Sequence, residues 1–154
     1  MTRIVGYTRL ETLYKKFLGI DLDKGRAEQI IDISSRKLRD LLLAGQKRAY
    51  ARGDDIVEWI DLPITIALEN TIEEYRRERE RLGDPRLDLQ PILAYLEEEI
   101  SGINIGETVK ENLQDLTATI LLLAGHVMKI VDPKIRKPSK EDIEKAERIL
   151  NLTI

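Results

Sequence analysis

Apolar residues along the chain fall into stripes at helical spacing, separated by turn signals. Leu10, Leu13, Tyr14 and Phe17 recur at three- and four-residue intervals after Thr8-Arg-Leu-Glu11, which has the form of a capping box, and Gly19 follows. This predicts a helix that starts near Thr8 and stops at Gly19. After the loop Ile20–Asp23 comes a longer stripe of Ala27, Ile30, Ile31, Leu38, Leu41, Leu42 and Ala49, completed by Ser34 and Gly45. It predicts one helix from about Lys24 to Arg52, roughly 40 Å long at 1.5 Å per residue. Such a helix is too long for a small domain unless other elements pack along both ends. Gly53-Asp54-Asp55 breaks it, Ile56–Trp59 reads as a minimal strand, and Asp61-Leu62-Pro63 reads as the start of a third helix running to about Leu82. Gly83-Asp84-Pro85 is the clearest boundary in the chain.

Beyond that boundary the pattern starts again. Leu89, Ile92, Leu93 and Leu96 repeat the spacing of the first stripe, and Gly102–Gly106 mirrors Gly19–Asp23, with Asn104 and Glu107 as a cap pair. A second long stripe holds Val109, Leu113, Leu116, Ile120, Leu123, Ala124 and Val127, and its Leu121–Gly125 has the same five residues as Leu41–Gly45. Pro133–Ser139 is a loop, and a last helix begins near Asp142-Ile143. The period is about 80 residues. The expected architecture is all-α, a single compact domain over residues 1–154 made of repeats 1–83 and 84–154. Neither half buries both sides of its long helix alone. The two long helices are therefore expected to cross near Gly45 and Gly125, where small residues permit close approach.

A short, a long and a short helix with strand-like loops between them is similar to the layout of the histone fold. The stretch Arg136–Ala146 resembles the loop and last helix of archaeal histones at Asp142, Ile143 and Ala146, and Gly53 and Asp61 sit at the corresponding spacing in the first half. Over nearly all its length the chain resembles a bacterial family of unknown function in which two histone folds are fused as an intramolecular pseudo-dimer. The resemblance implies a folded monomer, with higher oligomers open. It implies pairing of each first loop with the second loop of the other half, and a loop Arg clamped to the Asp that starts the last helix. The candidates are Arg52 with Asp61 and Arg136 with Asp142. Both depart from the usual spacing: Asp54 holds the loop-Arg position in the first half, and Arg136 is one residue closer to Asp142 than usual.

Charge changes the picture next. The net charge is only −3, but residues 1–53 hold twelve Lys or Arg against six acids, and residues 84–132 hold three against nine. The surface is bipolar, and local potential governs binding more than the total does. Pairing the loops as implied gathers Lys24, Arg26, Lys134, Arg136, Lys137 and Lys140 at one end, beside Asp21 and Asp23. The other end combines Gly102–Glu107 with Arg52, Asp54 and Asp55. Bases without a reading helix suit phosphates and carry no sequence information. The expected function is weak, non-specific association with double-stranded DNA through the basic end. The alternative is a histone-fold module that binds an unknown protein and no DNA.

Catalysis has little support. The chain has no Cys and one His, and His126 lies in an apolar stripe without a partner nucleophile, so it reads as structural. Glu97-Glu98-Glu99 points three ways from one helix and reads as a solvated face, and no Glu-x-x-His exists. Trp59 reads as a loop anchor, and Gly102 and Gly106 as loop glycines. No enzyme, cofactor or metal site is expected. No uninterrupted apolar run nears the roughly 20 residues of a membrane span. The expected location is the cytoplasm, in the nucleoid when bound to DNA. Abundant Ile and charge, with four Asn and four Gln, resemble the composition of heat-stable proteins.

Overall fold

In the computed structural model, which describes residues 2–96 and 98–153, the stripes become six α-helices. They are α1 Thr2–Leu18, α2 Lys24–Ala51, α3 Ile66–Leu82, α4 Gln90–Leu96, α5 Glu107–Val131 and α6 Lys140–Thr153. No strand forms among the described residues. All nine positions of the stripe read along α2 are buried, and Ile33, Ser35 and Lys37 are buried beside them, so the helix is covered on more than one side. α2 lies against α1, α5 and α6, while α5 also receives α3, and α1 packs along α4. One apolar core thus runs through both halves, from Leu10, Tyr14, Ile30 and Leu42 to Leu96, Leu116, Leu121 and Ile143. By length and composition α5 could cross a membrane. Here it is the core helix, with Leu116, Ala118, Ile120, Leu121, Leu122 and Ala124 buried.

Two polar contacts fix neighbouring helices. The Tyr14 hydroxyl, fully buried, donates to the Leu121 carbonyl and ties α1 to α5. Burial pushes its pKa far above the ordinary tyrosine value. Asp115 of α5 accepts from Arg76 Nε at 2.6 Å and from Arg79 Nη1 at 2.8 Å, which anchors α3. The Arg79 guanidinium also lies 5.1 Å from the centre of the Tyr75 ring.

Several boundaries differ from expectation for identifiable reasons. Helix α1 begins at Thr2 rather than near Thr8, because Gly6 and Tyr7 are buried and Gly6 sits against Ile92 of α4. Packing, not the local cap, sets that start. Asp61 does not cap α3: its carboxylate turns back to accept from Glu58 N and Arg52, leaving Trp59–Asp61 as one 3₁₀ turn. The helix starts at Ile66 instead, with Thr65 Oγ1 accepting from Leu68 N at 3.1 Å. The strand expected at Ile56–Trp59 reduces to a single parallel bridge between Val57 and Ile105. Asn104 makes no cap either; its carbonyl accepts from Val57 N, and Gly106 is the N-cap of α5.

Gly45 and Gly125, the expected crossing points of the long helices, each lie closest to another element. The nearest neighbours of a side chain at Gly45 would be Leu62 and Val57, and at Gly125 Leu18 and Tyr14. The closest approach is thus made by the 57–62 segment at Gly45 and by α1 at Gly125.

Candidate nucleic-acid interface

Two loops distant in sequence meet at one end of the molecule. Asp21 N donates to the Arg136 carbonyl at 2.7 Å, and Gln29 Nε2 of α2 donates to the Lys140 carbonyl at the start of α6 at 3.2 Å. These bonds bring Lys24 and Arg26 to the same end as Lys134, Arg136, Lys137 and Lys140. All six are exposed except Arg26, which is half-buried beside Lys137 in a shallow cleft with Asp21 and Asp23.

The acids here already have partners. Asp23 is the N-cap of α2 and accepts from Arg26 N at 2.7 Å, and Asp21 pairs with Lys15 at 2.8 Å. The hydrogen bond from Lys15 holds the Asp21 carboxyl below its usual range, with the charges of Lys137 and Arg136 adding to the effect. Among the described residues no carboxylate comes within 4.0 Å of the side-chain nitrogens of Lys24, Lys134, Arg136 or Lys137. Lys140 reaches Glu144 only at 4.0 Å and Arg26 reaches Asp23 only at 3.9 Å. Arg26 Nε is buried with no hydrogen-bond acceptor. Four of the six cations, Lys24, Lys134, Arg136 and Lys137, thus have no carboxylate partner among the described residues, which suits a polyanion.

The two clamp candidates part company. Arg52 and Asp61 form a two-pronged pair, Nε to Oδ1 at 2.8 Å and Nη2 to Oδ2 at 2.6 Å, and Arg52 also binds Asp54 at 2.9 Å and the Ile56 carbonyl. Gly53, with φ +84°, lets the chain turn back so that Arg52 reaches across it. The Arg136–Asp142 pair is not formed. Asp142 instead completes a capping box with Ser139, each side chain bonding the other's backbone N–H. That leaves the Arg136 guanidinium to solvent.

Hydrogen bonds from Arg52, then from Glu58 N, lower the Asp61 pKa from 3.8 to about 2. The folded carboxyl is the stronger acid, so its stabilisation is complete above the unfolded value and is lost as pH falls from about 4 through about 2. Thermal scans across that range should show a shallower fall in melting temperature for Asp61→Asn than for the natural chain. An unchanged acid limb would contradict the pairing.

At the opposite end the Val57 bridge joins the other two loops, with Gly106 N donating to the Val57 carbonyl at 2.8 Å. Asp54, Asp55 and an open groove between Trp59 and Glu107 lie here. Trp59, expected as a loop anchor, is half-buried and packs against the core, and Ile60 is 84% exposed. His126 is half-buried on α5, Glu98 and Glu99 are exposed, and Glu97 lies outside the described residues. Among the described residues no three His, Asp or Glu side chains gather in a way that could hold a metal ion.

Comparison with known proteins gives consistent matches over the whole chain. The model of a family described as a domain of unknown function, DUF1931, matches residues 10–151. An uncharacterized protein of Aquifex aeolicus (strain VF5) is 27% identical over 152 residues, covering 98% of this chain and 85% of its own. A crystal structure of a protein from Thermus thermophilus superposes with a TM-score of 0.81 at 29% identity, covering 96% of this chain and 97% of its own. A second crystal structure, of a protein from Aquifex aeolicus, gives a TM-score of 0.76 at 25% identity, with 97% and 95% covered.

Proposed function

The chain belongs to the DUF1931 family, a domain of unknown function, and we propose that it is a histone-like protein that binds double-stranded DNA weakly through one end. In this reading α1–α3 and α4–α6 are two histone folds fused into one pseudo-dimer. The order short, long, short occurs in both halves, as 17, 28 and 17 residues and as 7, 25 and 14. The observation that carries the reading is the bond between Asp21 N and the Arg136 carbonyl. It sets the first loop of one half beside the second loop of the other, as the resemblance implies, and so gathers the six bases.

On this proposal the protein acts by binding and carries out no catalytic step. Loop cations and no inserted helix favour phosphates over base edges, so two unrelated duplexes of equal length should bind alike. Fluorescence anisotropy with such a pair at low salt tests this. A strong preference for one sequence, or no binding to either, would refute it. Because the shared core needs no second chain, sedimentation at micromolar concentration should show a folded species of single-chain mass. Unfolding on dilution would contradict the pseudo-dimer.

A further inference from the structure

The end opposite the basic loops carries a surface that the DNA reading leaves unused. Ile60, 84% exposed, lines an open groove together with Trp59, Leu62 and Ile64. Ile66, at 77% exposed, lies on the first turn of α3 close by in sequence. An exposed aliphatic side chain on the lining of an apolar groove is the kind of surface that a partner covers. The charged residues lining this groove are Glu58, Glu69 and Glu107, all acidic. Asp54 and Asp55 add negative charge at the same end, and the nearby Arg52 is already engaged by Asp54 and Asp61. Lys110, another base close by, faces Glu107 at 3.5 Å, and Arg48 acts on the charge of Asp61.

Charge and shape together select the occupant. Glu107 already faces Lys110 and Glu58 already accepts from the Thr108 hydroxyl, yet the lining keeps a net negative charge, which repels nucleic acid and acidic segments and attracts Lys and Arg. The exposed isoleucine and half-buried tryptophan reward a ligand that also brings aliphatic side chains. We propose that this groove docks a basic, amphipathic peptide segment of a partner protein, with its aliphatic side chains against Trp59, Ile60 and Ile64 and its Lys or Arg side chains on Glu58, Glu69 and Glu107. The inference stands apart from DNA binding, since it uses the other end of the molecule.

Trp59 is the chain's only tryptophan, so its emission reports on the groove directly. The probe is a synthetic Lys/Leu amphipathic peptide without aromatic residues, compared with a Lys/Ser peptide of equal charge and a Glu/Leu peptide of equal apolarity. The Lys/Leu peptide should give a saturable shift in Trp59 emission, and neither control should. Glu69→Lys and Ile60→Ser, both at exposed positions, should each weaken that binding about tenfold or more while the melting temperature holds. A response shared by the Lys/Ser or Glu/Leu peptide, no saturation, or unchanged binding in either variant would overturn the proposal. So would a Trp59 shift that grows with protein concentration alone together with a doubled mass in sedimentation, which would make a second copy the occupant.

Discussion

Gly45→Leu and Gly125→Leu should each lower stability by about 2–3 kcal/mol, because the added side chains have nowhere to go. A Cβ at Gly45 would lie 2.7 Å from Leu62 Cδ2 and 2.9 Å from Val57 Cγ1, with Asp61 backbone 3.7 Å away. These neighbours belong to the segment that Arg52 and the Val57 bridge hold in place. A Cβ at Gly125 would overlap Leu18 Cδ1 and press on the Tyr14 ring at 3.0 Å. That ring is held by the bond between its hydroxyl and Leu121, so it has little room to retreat. For a chain of this length the melting temperature should drop by about 5–10 °C. Gly25→Ala is the control. Its Cβ would meet only Asp23 Oδ1, at 3.5 Å, and the change should be neutral or slightly stabilising. Unaltered melting in both leucine variants would mean that the close approaches at the two glycines are not as described.

The helices are legible where periodicity and punctuation agree. The α2 stripe is buried at every position read, Gly19 stops α1 and Gly83 stops α3 with a left-handed backbone. What escapes the sequence depends on partners far away in the chain. Thr8 has the form of a cap, but α4 supplies enough contact to carry α1 six residues further back. Asp61 has that form too, yet Arg52 claims its carboxylate from across Gly53. At the two glycines the sequence shows tolerance of close approach, but spacing alone cannot tell which element comes nearest. At the basic end, charge counting finds the residues, while their gathering is implied only by resemblance to a paired-loop fold. The groove is not legible at all, because Ile60 is indistinguishable in sequence from a core isoleucine.

Reversing Arg136, Lys137 and Lys140 to Glu should abolish DNA binding with little change in folding. All three are exposed, and the loop's tie to Asp21 runs through the Arg136 carbonyl, which the substitution leaves in place. Lys140 opens α6, where a carboxylate favours the positive end of the helix dipole, so that change is mild or helpful to the fold. The reversal replaces three cations by three anions beside Asp21 and Asp23. Affinity at low salt should fall by at least about a hundredfold, since each lost phosphate contact forfeits its counterion release. Gel shifts at matched salt, with the melting temperature as a check on folding, would show it. Retention of natural affinity would move the DNA contact away from this loop, and the protein-binding alternative would then explain the separation of charge between the two ends equally well.

The most direct test of one-ended, phosphate-only binding is the dependence of DNA affinity on salt. Contact at the basic end with about 4 phosphates predicts a slope near −3.6 for log affinity against log salt concentration. A slope near −3.6 that disappears in the triple reversal is the expected result. A slope of twice that size would mean DNA wrapped over both ends, and no measurable affinity even at the lowest salt would contradict DNA binding altogether.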